Sequence, residues 1–212
     1  MRFISATQLF SGKDFLNSDA VIVLNTDNTI EDIILSKDID ATKIEHFEGI
    51  ICPGFINTHC HLELSHLKNT IPQHTGIVDF GLEIIKNRNS ISEELQLDCM
   101  QQADSDMYQA GIVAVGDISN TKLSIQSKKK SSIFYHTFVE LIGLHPERAS
   151  TIFDAGRQTL TQFIIKDLAC SLAPHAPYST SPLLIELISQ MCLQTGNPTS
   201  IHNQESKAEN DF

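Results

Sequence analysis

The amino-acid sequence predicts an α/β fold: a partial (β/α)8 TIM-type barrel of about five strands, preceded by a small N-terminal β unit. From Gly49 onward, segments that are apolar on both faces alternate with helical segments, which is typical of a parallel sheet. Polar residues stand at the C-terminal ends of several of these strands. A doubly wound sheet is the alternative, but a barrel brings such strand ends together at one mouth, and the barrel is therefore favoured.

Two domains are predicted, a small β-sandwich-like part at residues 1–49 and the incomplete barrel at residues 50–212. Short β-like runs separated by polar turns make up the first, and the clearest are Ala20–Leu24 and Ile30–Leu35. The segment between them, Asn25–Asn28, has the composition of a turn, so the two runs are predicted to pair as a hairpin.

Helix caps and periodicity define the elements of the second domain. Ser90 or Ser92 is the predicted N-cap of its longest helix, and Ser179 or Thr180 is the predicted cap of a later one. The lysine run 128–130 is interpreted as a solvated turn. The predicted strands are 50–56, 112–118, 133–139 and 168–172, with a fifth beginning at 200–202, and the predicted helices are 78–86, 92–110 and 181–194.

Composition excludes several functional classes. The chain has 212 residues and a formal net charge of -11, which argues against a nucleic-acid-binding surface because such a surface is basic. No apolar run approaches the roughly 18–20 residues of a membrane span, and the N-terminus lacks a signal-peptide layout. The five cysteines are scattered and form no Cys-x-x-Cys pair, which suits free thiols in a reducing compartment. A cytoplasmic protein without a membrane or nucleic-acid partner is expected.

His59 and His61 flank Cys60 at the end of the first predicted barrel strand. Side chains at positions i and i+2 of a strand share a face, so both imidazoles can reach one ion. Imidazole is a ligand of zinc and iron, and a catalytic site leaves one coordination position open. A hydrogen-bonded core histidine beside a loop histidine is the alternative, and the spacing alone leaves both open. His66 and His74, beyond the strand end, are predicted to be surface or packing residues.

Four further polar side chains lie at or after the ends of later strands. His175 lies between two prolines in a rigid turn after a predicted strand, and Glu140 ends another. His202 ends the last predicted strand, and Glu205 follows three residues later. A metal ligand near a carboxylate is the arrangement that activates water and transfers protons. A polar turn at His175 and a helix N-terminal turn with a favourable Glu205 are the alternatives.

Three segments together carry a family resemblance: HCH after PGFIN, LAPHAPYSTS, and IHNQES. In this order they resemble the amidohydrolase superfamily, and within it the metal-dependent deaminase and chlorohydrolase branch, which includes adenosylhomocysteine, guanine and aminofutalosine deaminases. HLELSHLK is similar to the aminofutalosine-deaminase-like subgroup. The resemblance implies metal ligands at His59, His61 and His202, a catalytic proton shuttle at Glu205, and substrate contacts at His175, Glu63 and Glu140, the last two with a salt-bridged structural role as the alternative.

The resemblance implies a metal-dependent hydrolase, a hydrolytic deaminase of an adenine-like or other aminated heterocycle that acts on C–N bonds other than peptide bonds. It implies a small-molecule substrate and one divalent metal ion, zinc, with iron as the alternative. The ion lowers the pKa of water, Glu205 protonates a ring nitrogen, and the exocyclic amino group leaves as ammonia. A chlorohydrolase or cyclic amide hydrolase is the alternative activity. A carbamate-bridged two-metal site is not expected, because His175 stands where the fourth strand would supply a lysine.

The chain departs from the family pattern beyond its fifth strand. The family also places a histidine on the sixth strand and an aspartate on the eighth, whereas the sequence to Phe212 reaches only the fifth. An N-terminal, truncated portion of an enzyme is therefore expected, inactive alone and weak in metal binding, with a non-catalytic fragment as the remaining alternative. Open strand edges favour self-association, so a homo-oligomer is a further expectation.

Overall fold

The structure, a computed structural model, describes residues 1–211 and consists of two compact units. The first is Met1–Gly54, and the second begins at Phe55. None of the helices within the described residues has both the length and the apolar character needed to cross a membrane.

The first unit is a four-stranded sheet in which the predicted hairpin is confirmed. Residues Val21 and Val23 of the second strand are buried, whereas the third strand is largely exposed. The second and third strands are antiparallel, and the first and fourth are parallel. The sheet order is β3-β2-β1-β4, with β1 at Arg2–Leu9, β2 at Ala20–Leu24, β3 at Ile30–Leu35 and β4 at Ile44–Ile51.

The second unit confirms the predicted α/β class, with a four-stranded parallel sheet and helices between its strands. The sheet order is β5-β6-β7-β8, with β5 at Phe55–Cys60, β6 at Ile112–Ser119, β7 at Phe134–Leu141 and β8 at Ala169–Pro174. The helices are α1 at Ile77–Asn87, α2 at Glu93–Gln109, α3 at Ile125–Lys130, α4 at Ala149–Ile164, α5 at Pro182–Thr195 and α6 at Lys207–Asp211. A 3-10 helix at Leu62–Leu67 follows β5 directly.

Apolar packing holds these helices against the sheet. One core cluster joins β7 and β8 to α4 and α5, and its largest fully buried members are Phe163, Leu172 and Leu184. A second cluster includes Leu62 and Met100, both fully buried, so that the 3-10 helix after β5 packs beside α2. Because buried side chains are close-packed, these clusters fix the strand ends on which the polar residues stand.

The observed cap residue is one of those predicted from the sequence at α2, but not at α5. Ser92 caps α2 by accepting a hydrogen bond from the Leu95 N–H, as predicted. The predicted caps Ser179 and Thr180 of α5 are wrong, because Ser181 is the N-cap. The helix begins at Pro182, whose missing N–H suits the first helical position, and the cap is therefore the residue directly before it.

Two strand predictions are wrong. A single buried strand at 50–56 is not formed, because Pro53 and Gly54 separate β4 from β5 and these strands belong to different sheets. Phe55 is 61% exposed, since β5 pairs only with β6 among the described strands. The segment 200–202 is not a strand, because its one backbone hydrogen bond, from the His202 N–H to the His175 carbonyl at 2.8 Å, is too little for a ladder.

The interpretation of the lysine run 128–130 as a solvated turn is wrong for the turn and for Lys128, whereas Lys129 and Lys130 are exposed. These residues end helix α3, and Lys128 is 4% exposed. Its position three residues after the buried Ile125 places it on the inner face of the helix. Its Nζ lies 2.6 Å from Asp117 Oδ2, and both side chains are fully buried, so the ion pair explains how a lysine is accommodated there.

Gly116 of β6 is expected to be intolerant of a side chain. A Cβ there would lie 2.6 Å from the Thr58 carbonyl oxygen of β5, so Gly116→Ala forces the strands apart and should lower the free energy of unfolding by about 1–3 kcal/mol. Denaturant unfolding measures this change. Gly81→Ala in α1 is the matched control, because nothing lies within 4 Å of its Cβ position and alanine favours a helix. Equal unfolding free energies for Gly116→Ala and the wild type would contradict the close approach.

Candidate metal centre

His59 and His61 are brought together by strand geometry. His59 lies within β5, His61 follows its last residue, and the alternation of side chains along a strand puts both on the same side. Their Nε2 atoms lie 3.2 Å apart, and the ring centroids are 5.0 Å apart.

His202 completes a group of three imidazoles. The hydrogen bond from its backbone N–H to the His175 carbonyl places it beyond β8, and its ring centroid lies 4.6 Å from that of His59 and 5.4 Å from that of His61. One ring nitrogen from each of the three lies within 4.8 Å of the other two. Residues separated by more than 140 positions along the chain therefore converge on one point.

The donor set fits a divalent metal ion. Two imidazole nitrogens bound to a tetrahedral zinc at about 2.0–2.1 Å lie about 3.3–3.4 Å apart, close to the observed His59–His61 separation. The Nε2 atom of His202 is buried and makes no hydrogen bond among the described residues. Burial lowers the pKa of His61 to about 4, so its nitrogen lone pair is free at neutral pH. Burial also lowers the pKa of His59.

Two carboxylates flank the His202 ring. Glu205 Oε1 accepts a hydrogen bond from Nδ1 at 2.9 Å, and Glu140 Oε1 lies 3.5 Å from Nε2. The Glu140 carboxylate, opposed by burial and assisted by Glu205, raises the pKa of His202 to about 9. Burial acts to raise the pKa of Glu140, but His202 and Asn120 outweigh it, and the pKa lies below its usual value. The two carboxylates therefore favour positive charge at His202, and a metal cation bound there would also supply it.

His175 lies beside this group at the end of β8. Its Nδ1 is 2.6 Å from the Ser179 hydroxyl oxygen, and its ring centroid is 5.1 Å from that of His202. One ligand-capable atom of His175 lies within 4.8 Å of those of Glu140 and His202. The structure therefore brings together six of the seven predicted site residues: His59, His61, Glu140, His175, His202 and Glu205.

Glu63 occupies a different environment. Its carboxylate is 5% exposed, accepts hydrogen bonds from the backbone N–H groups of Asn120 and Thr121 and from the Thr121 hydroxyl, and lies 3.7 Å from Arg88 Nη2. The Asn120 amide also donates to Glu140 Oε2 at 2.8 Å, so one asparagine links both carboxylates. These hydrogen bonds and the ion pair with Arg88 are the contacts expected of a salt-bridged structural role, which was the alternative for Glu63.

Sequence reasoning missed Asp117 and Asn120. Asp117 is the one charged residue in the apolar β6 segment IVAVGDIS, and a lone carboxylate in a buried strand signals a specific partner. It is 0% exposed and lies beside the chain that follows His61. Asn120 lies just past the end of β6 and has no pattern around it that marks it.

A largely apolar cavity of about 800 Å³ adjoins His61. It lies between the 3-10 helix after β5, the following loop and α1, and its apolar lining includes Leu64, Ile71, Phe80 and Ile84. A concave apolar pocket next to converging polar groups is the usual form of a small-molecule site.

The family model named "Amidohydrolase family" matches residues 50–212, which is most of the chain. The chain belongs to the amidohydrolase family. This confirms the resemblance carried by the three histidine-containing segments.

Individual relatives are deaminases and a chlorohydrolase. The chain is 26% identical to an aminodeoxyfutalosine deaminase of Nitratiruptor sp. over 100% of its length and 53% of the relative's. The crystal structure of Helicobacter pylori aminofutalosine deaminase with methylthio-coformycin matches with a TM-score of 0.84 at 24% identity, over 100% of this chain and 53% of that one. Zinc-bound atrazine chlorohydrolase from Arthrobacter aurescens matches with a TM-score of 0.74 at 17% identity, over 97% and 53%.

These structural matches confirm the predicted fold, part of a barrel of the amidohydrolase type, here a parallel sheet of four strands, with a small N-terminal sheet. The chain spans about half the length of the relatives it matches.

Proposed function

We propose that this amidohydrolase is a metal-dependent hydrolytic deaminase of an adenine-like or other aminated heterocycle. The observation that carries the proposal is the convergence of His59, His61 and His202, with nitrogens within 4.8 Å of one another and a carboxylate hydrogen-bonded to one of them. The similarity to aminodeoxyfutalosine deaminase supports the reaction type.

His59, His61 and His202 are the proposed ligands of one divalent ion. Zinc is proposed, with iron as the alternative, because both accept imidazole nitrogen and a fold relative was crystallised with zinc. A divalent ion there supplies Lewis acidity, which lowers the pKa of water to about 7 and so provides a nucleophile for hydrolysis at neutral pH.

Glu205 is the proposed proton carrier. Its Oε1 accepts from His202 Nδ1, and the side chain is 44% exposed, so the carboxylate lies beside the proposed ligands and can still reach a bound substrate. The backbone N–H of Glu205 donates to the Glu209 carboxylate at 2.7 Å, which fixes the loop that carries it. Glu205 would take one proton from the attacking water and deliver it to a ring nitrogen. The hydroxyl proton of the resulting adduct then passes to the amino group, which leaves as ammonia as the carbonyl forms.

His175 and Glu140 are the proposed substrate contacts nearest to the ligands. Ser179 engages His175 Nδ1, which leaves Nε2 as the nitrogen to hydrogen-bond a heterocycle. Glu140 offers an oxygen beside His202. Glu63 is the weaker candidate, because protein groups already engage its carboxylate. It acts on the site through Asn120, which it holds by a hydrogen bond and which in turn donates to Glu140. The cavity next to His61 takes the apolar part of the substrate.

Product analysis on the full-length, zinc-loaded protein tests the proposal. Release of one ammonia per heterocycle, with adenine nucleosides and their 5′-substituted forms as probes, is the expected result. The second candidate, chlorohydrolase activity, is kept because the fold is shared with atrazine chlorohydrolase, and release of chloride from a chlorinated triazine without ammonia release would favour it. No turnover of either probe class by metal-loaded protein would contradict both.

A further inference from the structure

A buried ion pair lies next to the proposed metal ligands and has no part in the function proposed above. Asp117 of β6 and Lys128 of α3 have fully buried side chains, and Lys128 Nζ lies 2.6 Å from Asp117 Oδ2. Removing two charges from water is costly, so such a pair persists only where further hydrogen bonds satisfy it.

The second carboxylate oxygen of Asp117 holds the chain that carries the histidine pair. Oδ1 accepts a hydrogen bond from the Leu62 N–H at 2.7 Å, and Leu62 directly follows His61. This N–H is the first of the 3-10 helix Leu62–Leu67, whose own N-cap residue, His61, supplies no side-chain cap. Asp117 therefore caps that helix from a neighbouring strand.

This contact lies where the strand ladder is irregular. The parallel pairing of β5 with β6 shifts register between Phe55 and Ile56 and again after Asn57, and resumes only at Cys60, opposite Asp117. His59 lies within the irregular stretch. The hydrogen bond to Leu62 thus fixes the backbone at a point where the regular ladder does not.

Lys128 keeps the Asp117 carboxylate in place. Its Nζ also donates to the hydroxyls of Ser119 and Thr137, at 3.1 and 2.8 Å, and lies 5.0 Å from the centroid of the Phe163 ring. The ammonium group is thereby fixed by β6 and β7 together. The Ser119 hydroxyl donates to Asp117 Oδ2 at 2.9 Å, so the carboxylate has no freedom to rotate away from Leu62.

We infer that Asp117, held by Lys128, is a positioning residue that fixes His61 relative to His59 for metal binding. The inference rests on the proposed metal site. Groups that orient metal ligands from behind typically change metal affinity by about 10–100-fold when they are removed. Asp117 acts through the backbone that carries the ligand.

Two double variants test whether metal binding depends on the oxygen atom that accepts the hydrogen bond from the Leu62 N–H. Both contain Lys128→Met, which removes the cation, and they differ only at position 117. Asp117→Asn keeps an oxygen at Oδ1, whereas Asp117→Leu removes it, and neither leaves an unpaired buried charge. Zinc affinity is measured on the full chain by chelator competition, and the visible spectrum of bound Co²⁺ reports ligand geometry.

The amide oxygen retained by Asp117→Asn should still accept from the Leu62 N–H. The Asp117→Asn/Lys128→Met variant is therefore expected to bind zinc within a few-fold of wild type. The Asp117→Leu/Lys128→Met variant should bind it about 10–100-fold more weakly, with an altered Co²⁺ spectrum. Equal zinc affinities for the two variants, whether high or low, overturn the inference.

Stability is controlled separately from metal binding. If Asp117→Leu/Lys128→Met does not fold, Asp117→Ala/Lys128→Met replaces it. Leu160→Ala, at a buried position of α4, is the stability control and should lower the unfolding midpoint without a change in zinc affinity. A wild-type chain that binds no metal overturns the proposed site itself.

Discussion

Replacing His61 with alanine is expected to remove the metal and the activity together. His61 offers its Nε2 at 3.2 Å from that of His59, and burial keeps its imidazole uncharged at neutral pH, so its loss removes a ligand that is ready to bind the ion without losing a proton. Zinc affinity should fall by more than about 100-fold, beyond the effect of losing a group that only supports a ligand. Metal analysis of purified full-length protein and ammonia release measure the two effects.

His145→Ala is the matched control for that result. It also removes one imidazole, but the His145 side chain is 69% exposed and its charged neighbour is Glu147 at 3.7 Å, away from the three converging histidines. It should retain wild-type zinc content and activity. Full zinc occupancy in the His61→Ala protein would contradict the assignment of His61 as a ligand.

Replacing Glu205 with glutamine is expected to separate catalysis from metal binding. The amide oxygen can still accept from His202 Nδ1, so the imidazole keeps its orientation and zinc content should not change. The amide cannot carry the proton to the ring nitrogen, and the turnover number should fall by about 10²–10⁴-fold, the usual contribution of general acid–base catalysis. Steady-state kinetics and metal analysis of the same preparation measure both.

Glu147→Gln provides the control for charge removal alone, because the Glu147 side chain is 72% exposed. Its turnover number should equal that of the wild type. A Glu205→Gln protein that deaminates at the wild-type rate would remove Glu205 from the mechanism, whereas one that also loses its zinc would assign it a structural role at His202.

Local pattern in the sequence was sufficient for much of the fold. Apolar runs flanked by helical periodicity predict β6, β7 and β8, and a cap at Ser90 or Ser92 predicts the start of α2, which the structure places after Ser92. These features depend on residues a few positions apart. The apolar pattern of residues 50–56 predicted one strand. The structure instead has the end of β4 and the start of β5 there, separated at Pro53, in two different sheets.

In the candidate site, too, some features follow from local sequence and others only from the tertiary structure. The His59–His61 spacing predicts that the two imidazoles share a side where the chain is extended, because side chains alternate along a strand, and the structure confirms this by extending β5 to Cys60. The place of His202 beside them, and the burial of Lys128 against Asp117, were decided only by the tertiary structure. These contacts join residues on different elements, and the energetics of a buried ion pair depend on partners that no local pattern reveals.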